Sequence, residues 1–376
     1  MRLRELSLAE FRSYERLDAV FGPGPQVVVG QNAAGKTNLL EGVVLLSLGR
    51  SHRARADQEL IRWGATVARV AATITREPVS ASPERLEVAV AAPGTGVQAR
   101  KQIRVNGVGR RAEALSGLLR TVLFAPESMS LVSGAPVARR DELDALAAQL
   151  QPLHARALTT YARALTQRNS LLRLIREGEA ERDQLRYWDQ VLVAEGAAIV
   201  ERRMAALEDL AAPLGAAHAE IAPAEAPLAL TYETNAPARG GERPADALRR
   251  RLAETADKEL WQGQTLVGPH RDDVRFLLGG RDLATFGSRG QQRTAILALK
   301  LAELDLLARH DGVAPLLLLD DVFSELDPDR RAHLVRRIRA LPQAFVTTTA
   351  LEDLDPALVA ESTAWRVAGG ELERLT

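Results

Sequence analysis

The first third of the chain consists of short runs in which apolar and polar residues alternate. This spacing predicts β-strands at 2–8, 67–74, 86–91 and 101–105, and a short apolar run predicts another strand at 26–29. Asn106-Gly107 is typical of a two-residue hairpin turn. Turn-forming residues predict two further loops, at Pro78, Ser80, Ser82 and Pro83 and at Pro93, Gly94 and Gly96.

The spacing becomes helical in the middle of the chain. Helical patterning dominates from Val137 to Leu210, with interruptions at Pro152 and Gly178. The proline-rich stretch 217–230 predicts a loop that leads into a short strand. No seven-residue repeat is sustained, which argues against a long coiled coil.

The last third returns to alternating element types. A strand at 272–278, with a hairpin at Gly279-Gly280, is followed by a long helix from 288, an apolar strand at 315–319, a helix at 329–340 and a strand at 343–347. Strand–helix–strand order with apolar strands predicts a parallel sheet covered on both faces. We therefore predict an α/β head built from residues 1–125 and 256–376, split in sequence by a helical insertion, residues 126–255.

Composition sets outer limits on the function. The 376 residues are enough for about two domains, and 46% apolar with 26% charged residues is typical of a globular protein. The absence of cysteine excludes disulfides and thiolate metal sites. A formal net charge of zero gives the whole molecule no general attraction to nucleic acid. With no signal peptide and no apolar run of membrane-spanning length, we expect a cytoplasmic protein without a membrane partner.

The segment VVVGQNAAGKTNLLEGV (27–43) carries the strongest motif. It fits G-x-x-x-x-G-K-[ST] at every fixed position, between a predicted strand and a helix, and this pattern is typical of a phosphate-binding loop. Its backbone N–H groups converge on phosphate oxygens, Lys36 reaches the β- and γ-phosphates, and Thr37 offers a hydroxyl to Mg²⁺. We expect ATP to contact Gly30, Gln31, Asn32, Ala33, Ala34, Gly35, Lys36, Thr37 and Asn38.

Two carboxylates follow the apolar strand in PLLLLDDVFSELD (315–327). Ligands of open α/β sheets bind at the carboxyl ends of the strands, where Asp320 and Asp321 are expected. Asp320 would hold Mg²⁺, and Asp321 would polarise the attacking water. Aspartate is also common where an ordinary strand ends, but the phosphate loop in the same chain favours a catalytic pair.

The stretch FGSRGQQRT (286–294) begins the long helix with a serine at the N-cap position. Ser288, Gly290 and Gln291 resemble the S-x-G-Q signature of ABC ATPases, and the free N–H groups of a helix start attract a γ-phosphate. In a β/α head this helix lies far from its own phosphate loop. We therefore expect a homodimer in which each signature binds the ATP of the other copy.

The residues after the acidic pair support that dimer. Ser324-Glu325-Leu326-Asp327 matches the D-loop of ABC ATPases, which places Asp327 at a two-fold interface. A serine–glycine start alone could be a simple helix cap. The order phosphate loop, signature, acidic strand end and D-loop favours an ABC-type ATPase head: a β-rich amino-terminal part and a parallel-sheet core, with an inserted helical second lobe.

Several longer segments resemble the RecF family of bacterial DNA repair proteins. They are FAPESMSLVSGAPVARRDELD (124–144), YARALTQRNSLL (161–172), LVGPHRDDVRF (266–276) and LLLLDDVFSELD (316–327). In addition, EFRSY (10–14) resembles the amino-terminal arm that the repair and SMC ATPases share. The segment at 316–327 has aspartate at 321, as in the RecF family, where most ABC ATPases have glutamate. The resemblance covers essentially the full length and is far more specific than the phosphate loop alone.

The resemblance implies a weak Mg²⁺-dependent ATPase that works as a switch and dimerises on ATP. It implies sequence-independent binding to gapped or duplex DNA and partnership with RecR and RecO in loading the recombinase RecA at gaps. Recombinational repair, replication restart and the SOS response to DNA damage are the implied setting. Arg12 and Ser13 are expected near the nucleotide phosphates, and Glu127 is the nearest candidate for the glutamine loop. Thr347-Thr348-Thr349 occupies the sensor position without a histidine.

Arginine-rich clusters are the candidate DNA contacts, because phosphate contacts need cations but no particular base sequence. The clusters are Arg50, Arg53 and Arg55; Lys101, Arg104, Arg110 and Arg111; and Arg139 and Arg140. Aromatic residues make up 4% of the chain, which favours contact with the duplex backbone over base stacking. Two alternatives remain: the ATPase subunit of a solute transporter, and an SMC-type chromosome-organising head.

Overall fold

A computed structural model describes residues 1–77, 80–94 and 101–375 of the chain. The described residues form two compact units. One comprises Met1–Ser130, Ala216–Glu225 and Arg289–Thr376, and the other Leu131–Gly215 and Ala226–Ser288. The ranges of the second unit differ from the predicted insertion at both ends. The boundary predicted at 255 falls inside a helix, Pro244–Gln262, and the strand Asp273–Leu278 pairs with Leu228–Glu233, so the second unit continues to 288.

The amino-terminal part of the first unit is an antiparallel sheet of six strands in the order β2-β1-β4-β5-β6-β7. The strands are β1 Arg2–Phe11, β2 Tyr14–Val20, β4 Val67–Arg76, β5 Ser80–Ala91, β6 Lys101–Val105 and β7 Val108–Arg110. The strands predicted in this region are confirmed. The hairpin at Asn106-Gly107 is also confirmed, with φ angles of 52° and 78° that suit a type I′ turn.

The loop predicted at Ser80, Ser82 and Pro83 is wrong, because these residues begin β5. The pairing of β4 with β5 shifts between Ile74 and Arg76, opposite this part of the strand. A bulge is a place where a sheet accepts proline, since the ladder hydrogen bond is already interrupted. Pro93 and Gly94 lie in a turn as predicted, whereas Pro78 and Gly96 lie outside the described residues.

The second sheet of this unit has the order β15-β14-β3-β13-β12-β8, and all of its neighbouring strands are parallel except β15. The strands are β3 Gly24–Val29, β8 Thr121–Phe124, β12 Leu316–Asp320, β13 Gln343–Thr348, β14 Thr363–Ala368 and β15 Glu371–Arg374. The predicted parallel α/β core is confirmed. The sequence prediction did not include β8, β14 or β15.

Helix α1 (Lys36–Leu48) connects the two sheets of the first unit. It is buried on nearly every side, and Leu39 and Val43 share one hydrophobic core with Leu8, Val70 and Phe345. The remaining helices of this unit are α7 Arg289–Asp311, α8 Pro328–Arg339 and α9 Pro356–Ala360. The long helix from 288 and the helix at 329–340 are therefore confirmed.

The second unit is mainly helical, as predicted. Its helices are α2 Pro136–Leu150, α3 Pro152–Glu177, α4 Leu185–Ile221, α5 Pro244–Gln262 and α6 Leu283–Phe286, with the end of α4 belonging to the first unit. Pro152 begins α3 and Gly178 ends it with a φ of 81°, so both predicted interruptions are confirmed. The loop predicted from 217 starts too early, since α4 runs to Ile221. A three-stranded sheet, β9 Leu228–Glu233, β10 Asp273–Leu278 and β11 Arg281–Asp282, completes this unit.

Candidate functional site

The phosphate-binding loop joins the carboxyl end of β3 to the start of α1. Lys36 lies at the first position of the helix, and its ammonium donates to the backbone carbonyls of Gly30, at 2.6 Å, and Gln31, at 3.1 Å. The side chain is deeply buried, with 6% of the residue exposed. Neutral carbonyls are weaker partners for a cation than phosphate oxygens are. The loop therefore holds a buried positive charge that an anionic ligand would stabilise further.

Two positions of this loop require glycine. A Cβ atom at Gly30 would lie 2.7 Å from the carbonyl oxygen of Val367, which cannot move without distorting β14. Gly35 has a φ of 115°, and a Cβ there would lie 2.9 Å from the Ser13 hydroxyl oxygen. These close approaches let the backbone of the loop curve tightly around a phosphate-sized group. The fit of the loop to ATP phosphates thus rests on local geometry as well as on the motif.

The turn between β1 and β2 lies against the phosphate loop. Tyr14 donates from its hydroxyl to the carbonyl of Gly35, at 2.9 Å, and Asn38 donates to the Ser13 hydroxyl, at 2.9 Å. Ser13 is therefore beside the loop in which the nucleotide phosphates are expected. Tyr14 was not among the predicted site residues. It is fully buried, and a buried tyrosine hydroxyl usually has a hydrogen-bond partner.

Arg12 is positioned by a buried carboxylate. Its guanidinium makes two hydrogen bonds to Glu41, at 2.9 and 2.7 Å, and a third to the carbonyl of Glu59, at 2.7 Å. Burial raises the pKa of Glu41, but hydrogen bonds from Arg12 and Ser51 outweigh it, so the pKa is lowered and the carboxylate stays ionised. Sequence reasoning missed Glu41. The available signal was a charged residue within the apolar face of α1.

The acidic pair lies at the carboxyl end of β12, as predicted. Asp320 is 4% exposed and accepts a hydrogen bond of 2.6 Å from the hydroxyl of Thr347, the penultimate residue of β13. The same hydroxyl oxygen accepts from the backbone N–H of Asp321, at 3.0 Å. Thr347 thereby fixes both aspartates. Asp321 has a φ of 53°, a left-handed conformation that aspartate tolerates better than most residues.

The sheet brings the acidic pair and the phosphate loop to one edge. Strands β3 and β12 both pair with β13 in parallel, so their carboxyl ends lie on either side of the end of β13. Burial raises the pKa of Asp321, the Lys36 ammonium lowers it, and the Asp320 carboxylate adds to the rise. Lys36 and both aspartates are therefore close enough to influence one another.

The oxygen donors at this edge fit Mg²⁺. Thr37 supplies a hydroxyl in the first turn of α1 and Asp320 a carboxylate, and Mg²⁺ prefers such hard oxygen ligands. Among the described residues there is no cluster of three or more His, Asp or Glu side chains that could hold a metal by themselves. Mg²⁺ bound through one or two protein groups and nucleotide phosphates needs no such cluster.

The predicted signature and D-loop lie at helix starts. Ser288 is exposed and immediately precedes α7, which carries Gly290 and Gln291 in its first turn. Asp327 is the N-cap of α8 and accepts from the backbone N–H of Arg330, at 3.0 Å. The Arg330 guanidinium also reaches Thr294 in α7, at 3.0 Å from its Nε atom. Sequence reasoning missed Arg330, because nothing local distinguishes it from other surface arginines of α8.

The second unit contains a polar network built around 266–276. Arg139 is bidentate to Asp273, at 2.7 and 2.8 Å, and also donates to three backbone carbonyls of its own unit. Arg140 donates to the carbonyl of Asp272, at 2.7 Å. The guanidinium of Arg139 is therefore hydrogen-bonded within its own unit, which argues for a role in packing rather than in contact with DNA.

The other basic clusters differ in how far they are exposed. The side chains of Arg53, Arg55, Arg104, Arg110 and Arg111 are exposed, and all belong to the first unit. Lys101 is half-buried and forms an ion pair with Asp57, at 2.8 Å. The exposed arginines are the better candidates for phosphate contacts. Glu127 follows β8 in a short 3₁₀ turn and is exposed, and β8 is the strand that pairs with β12.

The chain is similar to known proteins over nearly its whole length. The family described as RecF/RecN/SMC N terminal domain matches residues 2–362. The DNA replication and repair protein RecF of Heliobacterium modesticaldum is 39% identical over 377 residues, which cover 100% of this chain and 99% of that protein. The RecF of Chloroflexus aurantiacus is 41% identical over 401 residues, covering 99% of each chain.

The chain is also similar to solved structures over its full length. The structure of the recombination mediator protein RecF with ATP, of the RecFOR pathway, has a TM-score of 0.87 and 31% identity, covering 100% of this chain and 97% of that one. The SMC head from Pyrococcus furiosus has a TM-score of 0.54 and 17% identity, covering 99% and 95%, and so shares the fold alone. Within residues 1–77, 80–94 and 101–375, none of the helices combines the length and the hydropathy that a bilayer span requires.

Proposed function

The chain belongs to the RecF family of DNA replication and repair proteins, and from that premise we propose that it is an ATP-operated DNA-binding protein of recombinational repair. ATP binding closes two copies on DNA, and slow hydrolysis releases them. The observation that carries the proposal is the common sheet edge that holds the phosphate loop, Lys36, Asp320 and Asp321. Sequence identity to RecF proteins over the full length of the chain favours this function over that of a transporter subunit or an SMC-type head.

The residues of the first unit have distinct roles in this proposal. The loop amides and Lys36 bind the phosphates, Ser13 and Asn38 support the loop, and Asp321 orients the attacking water. Thr37 and Asp320 would hold Mg²⁺, which would neutralise charge on the phosphates. Hydrolysis is slow because aspartate at 321 is shorter than glutamate and holds the water less well.

The dimer completes each site. Ser288 and the amide groups at the start of α7 of one copy bind the γ-phosphate held by the phosphate loop of the other, and Asp327 lies at the interface between them. Support comes from the exposure of Ser288 and from the position of both motifs at helix starts. ATP is thus both the ligand and the link between copies.

DNA contact is assigned to the exposed arginines of the first unit. Arg53, Arg55, Arg110 and Arg111 are exposed and can reach phosphates without reading bases. By family membership, we assign the chain to a cytoplasmic pathway in which RecR and RecO act with it to load RecA at gaps, during repair, replication restart and the SOS response.

Sedimentation velocity tests the proposal. The chain alone, with Mg·ATP, and with Mg·ATP plus a gapped duplex should sediment as a monomer, a dimer and a DNA-bound dimer. Replacing Arg110 and Arg111 with alanine should weaken DNA binding and reduce its salt dependence, with dimerisation intact. A monomer under all three conditions would contradict the proposal.

A further inference from the structure

Arg330, in the first turn of α8, connects the two segments that the proposed dimer places against the second copy. Its backbone N–H donates to one carboxylate oxygen of Asp327, at 3.0 Å, and its guanidinium forms an ion pair with the other. The D-loop carboxylate is therefore held on both oxygens by one residue. A carboxylate fixed in this way has one orientation rather than several.

The same guanidinium contacts the first two turns of α7, the signature helix. Its Nε and a terminal nitrogen donate to the Thr294 hydroxyl, at 3.0 and 2.5 Å, and the terminal nitrogen also reaches the carbonyl of Gly290, at 3.3 Å. The Thr294 hydroxyl in turn donates to Gly290, at 3.0 Å. Thr294 is fully buried and the Arg330 side chain is 20% exposed, so solvent screens these bonds only weakly.

A second connection joins the same two segments less firmly. Arg293, also at the start of α7, forms an ion pair with Glu325 of the D-loop, at 2.7 Å. These side chains are 45% and 38% exposed, and exposed pairs contribute little because water and salt screen them. Asp327 is 42% exposed, but Arg330 and Thr294 are much better buried, so Arg330 is the firmer of these two links between D-loop and signature.

We propose that Arg330 is a positioning residue that makes Asp327 and the first two turns of α7 one rigid surface for the nucleotide of the second copy. Two segments that must dock together lose conformational freedom on docking, and a link made beforehand reduces that loss. Arg330 thus sets the affinity of the ATP-bound dimer without touching ATP in its own chain. This inference rests on the proposed ATP-dependent dimer.

The chain offers a matched control for Arg330. Arg337 lies two turns further along α8 and forms an ion pair with Asp305, in the middle of α7. Arg330→Met and Arg337→Met each remove an arginine that joins the same two helices, but only Arg330 reaches the D-loop and signature. We expect both variants to lose thermal stability, Arg330→Met more than Arg337→Met because it also loses hydrogen bonds to Thr294 and Gly290.

The diagnostic difference lies in the dimer. Arg330→Met should weaken the ATP-bound dimer about tenfold, as expected when a charge-assisted hydrogen-bond link is lost, while Arg337→Met leaves it unchanged. ATP affinity of the monomer, measured with a fluorescent ATP analogue, should be the same in all three proteins. Arg330→Lys should be intermediate, since an ammonium cannot bridge both partners with the geometry of a guanidinium.

A double-mutant cycle tests the link itself. Thr294→Val removes the hydroxyl but keeps the side-chain volume, so its effect on the dimer should be largely contained within that of Arg330→Met. If the two effects multiply, or if Arg330→Met dimerises as Arg337→Met does, Arg330 is not the positioning residue.

Hydrogen exchange separates failure of this inference from failure of the dimer proposal. Without ATP, Arg330→Met should speed exchange of amides in 289–294 and 322–330, and Arg337→Met should not. If the wild-type chain never dimerises, the proposed function fails. The exchange rates of Arg330→Met would still show whether Arg330 links the D-loop to the signature. If the wild type dimerises and exchange is unchanged in Arg330→Met, the link is refuted alone.

Discussion

The ion pair between Arg12 and Glu41 gives the sharpest stability prediction. Glu41 has no exposed surface, and its carboxylate receives two hydrogen bonds from Arg12. Arg12→Met removes these bonds and keeps a side chain of similar length. The carboxylate would then be buried with the Ser51 hydroxyl as its remaining close donor.

Removing one partner of a buried ion pair costs about 3–5 kcal/mol, because the other charge is left uncompensated. Glu41 can limit the cost by binding a proton. In the variant, the hydrogen bonds from Arg12 no longer outweigh burial, so the pKa of Glu41 is higher in the folded protein than in the unfolded chain. A carboxyl with a raised folded pKa stabilises the protein at low pH and loses that contribution as the pH rises. The loss caused by Arg12→Met should therefore be larger at pH 8 than at pH 5.

Urea unfolding at the two pH values, followed by circular dichroism, measures this difference. Arg16→Met is the matched control, since Arg16 pairs with Asp18 within β2 and the two side chains are 81% and 55% exposed. It should cost less than about 1 kcal/mol at either pH. A loss from Arg12→Met that is equally small, or that does not grow with pH, would refute the reasoning.

Four further predictions concern other parts of the chain. Lys36→Ala should abolish ATP binding in a filter or fluorescence assay, and retained affinity would remove Lys36 from the site. Asp321→Glu should hydrolyse ATP faster than the wild type; slower turnover would count against the short side chain as the reason for slow hydrolysis. Arg139→Ala should lower the free energy of unfolding by about 2 kcal/mol because Asp273 loses its partner. The folded variant should bind DNA as tightly as the wild type. Weaker DNA binding at unchanged stability would assign Arg139 to DNA contact instead of packing. Burial lowers the pKa of His270 to about 4, so the folded protein resists protonation of this side chain. The free energy of unfolding should therefore fall as the pH drops from about 6.5 towards 4, and it should fall less steeply in His270→Gln. Equal pH dependences of the two proteins in urea unfolding would contradict this.

Much of the head could be predicted because its signals are local. The phosphate loop, the apolar strand before Asp320 and the helix after Ser288 each combine a short motif with a clear spacing. The predictions failed where distant residues decide the structure. Pro83 lies in a strand because a pairing shift on β4 accommodates it. The second unit continues past 255 because β10 pairs with β9.

The supporting residues of the site were harder to predict for the same reason. Thr347 fixes Asp320 and Asp321 from the neighbouring strand, 26 positions from the nearer of them, and Arg330 reaches Thr294 across 36 positions. Thr347 lies in the predicted sensor position, but neither contact has a sequence signature of its own. Glu41 is the exception, because a charged residue on the apolar face of α1 could have been recognised as one that needs a buried partner.

Mixing two inactive variants tests most directly whether ATP is shared between copies. Lys36→Ala disables the phosphate loop and Ser288→Arg the signature, so neither homodimer has an intact composite site. A mixed dimer contains one site with both lesions and one with neither. The account predicts that ATP hydrolysis and ATP-dependent association return when the two variants are combined. If the mixture stays as inactive as its components, each copy completes its site alone and the shared-nucleotide dimer is wrong.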